Sequence, residues 1–213
     1  MDANIPLSTY TKLDLSTDNP GLKTTDTSSS AELGKYIDEV LEENKARVAY
    51  GGYLEKRTIY QRSAHFNKQT NPNDERNIHI GLDLWAKAGT PVLAVFDGEI
   101  HSFKNNTNYG DYGPTIVVKH RFSELTFYTL YGHLSLQSLR DKNVGQTVRQ
   151  NEVIGELGTS AVNGDYPPHL HFQLILDIQD YRGDYPGVCS INELDFYKTN
   201  CPDPELLLGL SST

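Results

Sequence analysis

Two histidines one residue apart, in Pro168-His169-Leu170-His171-Phe172, constrain this chain more than any other feature. In an extended strand residues i and i+2 point to the same face, so His169 and His171 are expected to present two imidazoles side by side. The neighbouring Leu170, Phe172 and Leu174-Ile175-Leu176 suit a buried strand. Neutral imidazole is the commonest protein metal ligand, but such a pair needs further ligands. Two other segments offer them. In Ile78-His79-Ile80-Gly81-Leu82-Asp83-Leu84 an imidazole and a carboxylate lie four positions apart among apolar residues, and Leu130-Tyr131-Gly132-His133-Leu134-Ser135 ends an apolar strand on a further histidine. Four of the seven histidines fall in these three segments. That concentration favours a site over scattered surface histidines. Two imidazoles and a carboxylate suit zinc, with a fourth position left for water, and two histidines remain for proton transfer and charge stabilisation.

Length and charge set the bounds. A chain of 213 residues can bury a real core, as one domain or one domain with extensions. The net charge of −9, from 28 acidic and 19 basic residues, argues against a nucleic-acid partner or an anionic membrane surface. No stretch approaches the roughly 18 apolar residues that span a bilayer. Met1-Asp2-Ala3-Asn4-Ile5-Pro6 has neither a basic nor an apolar leader segment. The expectation is a cytoplasmic protein as given, and an extracellular or periplasmic one if an upstream signal has been removed. Cys189 and Cys201 are expected to be reduced thiols; neither has the C-x-x-C or neighbouring histidine of a zinc site.

The chain divides into three zones. Residues 1–74 read as an N-terminal extension with one amphipathic helix over about 31–47, where Leu33, Ile37, Val40, Leu41 and Val48 recur near helical period and Ser29 and Glu32 have capping-box spacing. From 75 to 178 the pattern becomes that of short strands: Val92–Phe96, Thr115–Val118, Leu125–Tyr131 and His169–Leu176, rich in β-branched and aromatic residues. Such strands suggest an all-β, antiparallel sandwich or barrel-like fold. Residues 179–213, with Tyr185-Pro186-Gly187 and Cys201-Pro202-Asp203-Pro204, read as an irregular tail packed on the domain, with one helical turn near its end.

The order H-x-x-x-D, then Y-x-H-L, then H-x-H-F resembles the lysostaphin-like (LytM-type) zinc metallopeptidases. Ala88-Gly89-Thr90-Pro91-Val92-Leu93-Ala94 looks like that family's first strand pair. Gly145-Gln146-Thr147-Val148 through Val153-Ile154-Gly155 resembles its glycine-punctuated hairpin. The likeness covers about residues 77–176. It implies an all-β LytM-type domain with the metal in a groove over one sheet. It also implies one zinc per chain held by His79, Asp83 and His171, with His133 and His169 in catalysis. One of these two would take a proton from water while the other donates to the oxyanion or leaving amine; which does which stays open. The implied substrate is a peptide, by default a peptidoglycan-type peptide cut as an endopeptidase cuts it.

Other readings stand beside this one. The Gly51-Gly52-Tyr53 to Arg57 segment and the tail resemble a subgroup fused to kinase-like and aminotransferase-like domains, which would imply a small intracellular amide or peptide. A non-catalytic binding module would be expected to lack site residues, and none is lost. A phosphocarrier-like relay through paired histidines is disfavoured by Asp83. His120 reads as structural, His65 and His101 as surface or packing residues, and Trp85 as core. Arg57 reads as a solvated arginine in a connection, with substrate binding as the alternative. Tyr109, Tyr112 and Tyr166 lie in loops that could border the groove. Oligomeric state is not legible.

Overall fold

The computed structural model describes residues 1–63, 66 and 71–210. Its strands are β1 (Tyr10–Lys12), β2 (Val48–Gly51), β3 (Ile78–His79), β4 (Leu82–Trp85), β5 (Pro91–Leu93), β6 (Gly98–Asn106), β7 (Gly113–Phe122), β8 (Leu125–Gly132), β9 (Thr147–Val148), β10 (Val153–Glu156), β11 (His169–Ile175) and β12 (Val188–Cys189). Eight form one sheet in the order β1-β2-β4-β11-β8-β7-β6-β9, while β5–β10 and β3–β12 make two small accessory sheets. All pairings are antiparallel except β1 with β2. This is the all-β class expected from the sequence.

Strand β11 lies at the centre of the large sheet, and its alternation sets both faces. Leu170 and Phe172 point into a core with Leu82, Leu84, Tyr131, Ile116 and Val118. His169 and His171 therefore emerge on the opposite face. Every residue of β11 is buried, because the other face is covered as well. The covering comes partly from residues that precede the strand-rich zone. Strand β2 continues the sheet beside β4, with Gly51 opposite Asp83 and Ala49 opposite Trp85. Helix α1 (Ser30–Glu43) buries Leu33 and Ile37 in a second cluster with Trp85, Tyr166 and Val188.

Several local expectations are corrected. Helix α1 begins as anticipated, with the Ser29 side chain accepting from the Glu32 N–H, but it stops short of residue 47. Lys45 takes a left-handed φ of 50° and the Ala46 N–H returns to the Leu41 carbonyl, so Val48 opens β2 instead of closing the helix. Thr147–Val148 and Val153–Glu156 do not form a hairpin with each other: β9 pairs with β6 and β10 with β5. For the same reason Pro91–Leu93 is no partner of β4. The tail holds more helix than one turn, α2 (Leu194–Asn200) and the short α3 (Glu205–Leu208). A 3-10 turn over Ile191–Glu193, closed by a reciprocal capping box between Ser190 and Glu193, leads into α2. Cys189 and Cys201 are buried free thiols. No helix of the described residues is long and apolar enough to cross a membrane.

Helix α1 acts as a buttress for the aromatic wall around Trp85. Ile37→Ala is expected to destabilise the protein by about 2–5 kcal/mol through the cavity it leaves. A denaturant titration checks this, and an effect below about 0.5 kcal/mol would mean that the helix is not packed as described.

Candidate metal centre

Register brings the first three residues together. In the β11–β4 pair His171 stands opposite Asp83, and in the β11–β8 pair it stands opposite Gly132, the last residue before His133. His79 arrives from β3, one tight step before β4. The step passes through Gly81, where a Cβ would sit 2.5 Å from the His171 ring, so only glycine lets the two segments close around that imidazole. The result is a triangle of acceptor atoms. His79 Nε2 lies 2.8 Å from His171 Nδ1, and each lies 3.2 Å from Asp83 Oδ1. All three residues are buried.

Hydrogen bonds on the far sides of the rings decide what those three atoms are. His79 Nδ1 faces the Gly52 carbonyl at 2.9 Å, so it carries the proton and donates, leaving Nε2 a lone pair. The Gln173 amide nitrogen donates to the Pro186 carbonyl and the Cys201 Sγ, which turns its oxygen toward His171 Nε2 at 3.1 Å. His171 Nε2 therefore donates and its Nδ1 is bare. Two bare imidazole nitrogens and a carboxylate oxygen in mutual contact repel one another unless a cation or proton sits among them. A tetrahedral zinc with ligands about 2.0–2.1 Å away would space such atoms by about 3.3 Å, close to the observed edges. The donor set and its tautomers thus fit a divalent metal, each ring's inner nitrogen being left bare because a carbonyl holds the proton on the outer one.

Two further imidazoles stand beside the triangle. The His133 and His169 ring centroids are 4.1 Å apart, and His169 Nε2 is 3.8 Å from Asp83 Oδ1. His133 leaves the end of β8 in a left-handed conformation, φ 60°, which swings its ring off the strand toward the groove. Each ring donates from Nδ1 to a backbone carbonyl, His133 to Asn163 at 2.7 Å and His169 to Pro167 at 2.8 Å. Both consequently keep an unprotonated Nε2.

Electrostatics agrees with neutral rings and a charged carboxylate. Burial pushes the His79 imidazole down to about 4 and holds His133 well below the usual histidine range, with His169 and His171 adding to the effect on His133. His169 is lowered by burial as well. Burial alone would raise the Asp83 carboxyl, but the cationic form of His79, the Arg57 guanidinium and the cationic form of His169 act to hold it well below the usual carboxylate range, and with both rings neutral Arg57 is the charge that remains.

These groups line a cleft of about 230 Å³. Tyr112 and Tyr166 border it as expected: the Tyr112 hydroxyl lies 3.4 Å from His171 Nε2 and donates to the Tyr185 carbonyl, and the Tyr166 ring packs on both His133 and His169. Tyr109 is half exposed, stacked under Arg62, and is not part of the lining. Trp85 is core and site wall at once, buried and stacked on His169 with centroids 5.8 Å apart. The reading of Arg57 as a solvated residue is overturned: it is 4% exposed and bonds Asp83 directly. His120 is structural, bonding the Asp97 carbonyl and the Thr129 hydroxyl away from the cleft, and His101 packs on Tyr128. His65 lies outside the described residues. Arg57 was missed because the contact spans 26 positions; the only local signal is Glu55-x-Arg57, which puts both charges on one side of an extended segment.

A buried His/Asp/His acceptor cluster in a groove over a mostly antiparallel sheet, with two more neutral imidazoles beside it, is a site able to hold a metal ion next to two proton acceptors. Residues 77–182 form a domain of Peptidase family M23. The chain is 34% identical over 134 residues to the DD-carboxypeptidase/endopeptidase Mpg of Neisseria meningitidis, covering 62% of this chain and 28% of that one. It is 35% identical over 99 residues to the peptidoglycan DD-endopeptidase ShyA of Vibrio cholerae, covering 46% and 20%. The catalytic domain of lysostaphin from Staphylococcus simulans aligns with 24% identity, a TM-score of 0.38 and coverage of 57% of this chain and 80% of that one. The chain thus spans under a third of the length of these two curated relatives.

The depressed histidines make a prediction for the metal-free protein. An unfolded chain protonates its histidines near 6.5, while His79, His133, His169 and His120 stay neutral in the fold to lower pH. Below about pH 6.5 the unfolded state therefore binds more protons, and stability falls as pH falls. The contribution is fully present above pH 6.5 and is lost progressively toward pH 4. Melting of chelator-treated protein should drop steadily between pH 7 and 5; a flat profile would contradict neutral buried rings.

Proposed function

We propose that this chain is a zinc-dependent endopeptidase that hydrolyses peptide bonds in peptidoglycan-type peptides. The observation that carries the reading is the acceptor triangle of His79 Nε2, Asp83 Oδ1 and His171 Nδ1, with no proton of its own to relieve it. In this reading those three residues hold one zinc per chain. Bound there, zinc would supply Lewis acidity and a water of near-neutral pKa.

The remaining chemistry belongs to the protein's own groups. His133 and His169, neutral and bare at Nε2, are the proton acceptors beside the triangle, and no glutamate base of the H-E-x-x-H type is required. Once one of them has taken a proton it becomes a donor, suited to a developing oxyanion or a leaving amine. Their Nδ1 protons are tied to the Asn163 and Pro167 carbonyls, which keeps the rings oriented through that exchange. Trp85 and Tyr166 wall the two rings and limit water around them.

Peptidoglycan peptides are the favoured substrate class because the family relatives include a peptidoglycan DD-endopeptidase and a DD-carboxypeptidase/endopeptidase. A cell-wall substrate would place the activity outside the cytoplasm, which favours the extracellular or periplasmic alternative. The small intracellular substrate has no comparable support. A non-catalytic module is disfavoured because all five site positions are filled and converge on one cleft.

His133→Ala and His169→Ala should each bind one zinc per chain like the unaltered protein yet lose about 10²–10⁴-fold in kcat on cross-linked muropeptides or glycyl peptides. Elemental analysis and mass-spectrometric product assays check both halves. Cleavage that persists in both variants would contradict the assigned roles, and a zinc-loaded protein inert on every peptide would contradict the hydrolase itself.

A further inference from the structure

We infer that Arg57, which lies outside the 77–182 family match, is a positioning residue of the metal centre: it grips the outer oxygen of Asp83 so that the inner oxygen alone faces the two imidazoles. This rests on the metallopeptidase reading and adds to it a part built by the N-terminal segment.

The geometry is specific. Arg57 Nη1 donates to Asp83 Oδ2 at 2.6 Å, while Asp83 Oδ1 is the atom shared with His79 and His171. Arg57 Nε donates to Glu55 Oε2 at 2.5 Å, and Glu55 Oε1 accepts from the Leu15 N–H at 3.0 Å, which fixes the second carboxylate in turn. The segment is stitched to the family domain by backbone bonds: the Arg57 N–H donates to the Asn77 carbonyl and the His79 N–H to the Glu55 carbonyl. Gly52 completes the arrangement. Its carbonyl sets the His79 tautomer, and at φ 106° it has no Cβ to collide with the guanidinium.

Two features separate this from an ordinary buried ion pair. First, Arg57 Nη2 is buried and has no partner among the described residues, so satisfying the arginine's own hydrogen bonds does not explain its burial. What it does satisfy is the Asp83 oxygen that would otherwise be free to chelate or to rotate. Second, charge is balanced so as to leave one anion for the ion: Glu55 cancels Arg57, and Asp83 remains. A carboxylate with one oxygen held by a guanidinium ligates through the other alone, which preserves an open coordination position. The guanidinium also lies over Trp85, 5.6 Å from the ring centroid, and Trp85 stacks on His169. One residue thus braces a ligand and the wall behind a proton acceptor. Lysine could not do this, because a single ammonium cannot span Glu55 and Asp83 with a rigid fork.

The test is zinc affinity of the full chain, measured by competition with a chromophoric chelator. The proteins compared are the unaltered one, Arg57→Lys, and the charge-balanced double variant Arg57→Met with Glu55→Gln, which avoids stranding two buried carboxylates. Near-ultraviolet circular dichroism and melting of the chelator-treated proteins verify folding. The double variant should bind zinc about 10–100-fold more weakly, with Arg57→Lys in between. Folded variants that bind as tightly as the unaltered protein, or more tightly, would overturn the inference while leaving the metallopeptidase reading intact. An unaltered protein that takes up no zinc would overturn the reading itself, and this inference with it.

Discussion

Burying the Asp83 carboxylate is the constraint around which the rest of the site is arranged. An ionised group withdrawn from water costs several kcal/mol unless it is paired and hydrogen-bonded, and Asp83 is 2% exposed. Its two oxygens are treated differently. One is met by Arg57, the other by two imidazole edges that, in their bonded tautomers, offer no proton. The inner oxygen and the two ring nitrogens then form a concentration of lone pairs that folding alone does not neutralise. A protein that preserves such a cluster holds energy in reserve for a cation.

The surrounding network keeps that cluster from relaxing. Protonating a ring would relieve the repulsion, but burial pushes His79, His133 and His169 toward the neutral form. Rotating a ring would also relieve it, but the Gly52 carbonyl and the Gln173 amide hold the outer edges of His79 and His171. Gln173 is itself fixed by the Pro186 carbonyl and by Cys201, so the tail participates in orienting the His171 ring. Elements on both sides of the family domain therefore meet at one point: the N-terminal segment through Gly52 and Arg57, the C-terminal segment through Pro186 and Cys201. The centre of the sheet supplies register, and the flanks supply tautomers.

This division explains what could be read from the sequence. His79, Asp83, His133, His169 and His171 were legible because strand periodicity and short spacings hold each within its own motif, and the family resemblance ordered the motifs. The central strands were legible for the same reason. Strand β6 was not: Gly98–Asn106 alternates burial but carries His101, Lys104 and two asparagines, so composition hides the period. The turn that leads into α2 carries the capping spacing Ser190-x-x-Glu193, but the neighbouring prolines and glycines read as irregular chain. Arg57 and the choice of unprotonated nitrogens were beyond sequence reasoning because they depend on contacts across 26 positions and on the direction of one glutamine amide. Long-range contacts leave no local period.

The most direct measurement is anomalous scattering at the zinc absorption edge from crystals grown with one equivalent of zinc. The account predicts a single strong peak per chain, enclosed by His79 Nε2, Asp83 Oδ1 and His171 Nδ1, with Asp83 Oδ2 still on Arg57. Zinc held through other atoms, or no peak at that triangle in a protein that otherwise keeps this fold, would contradict it.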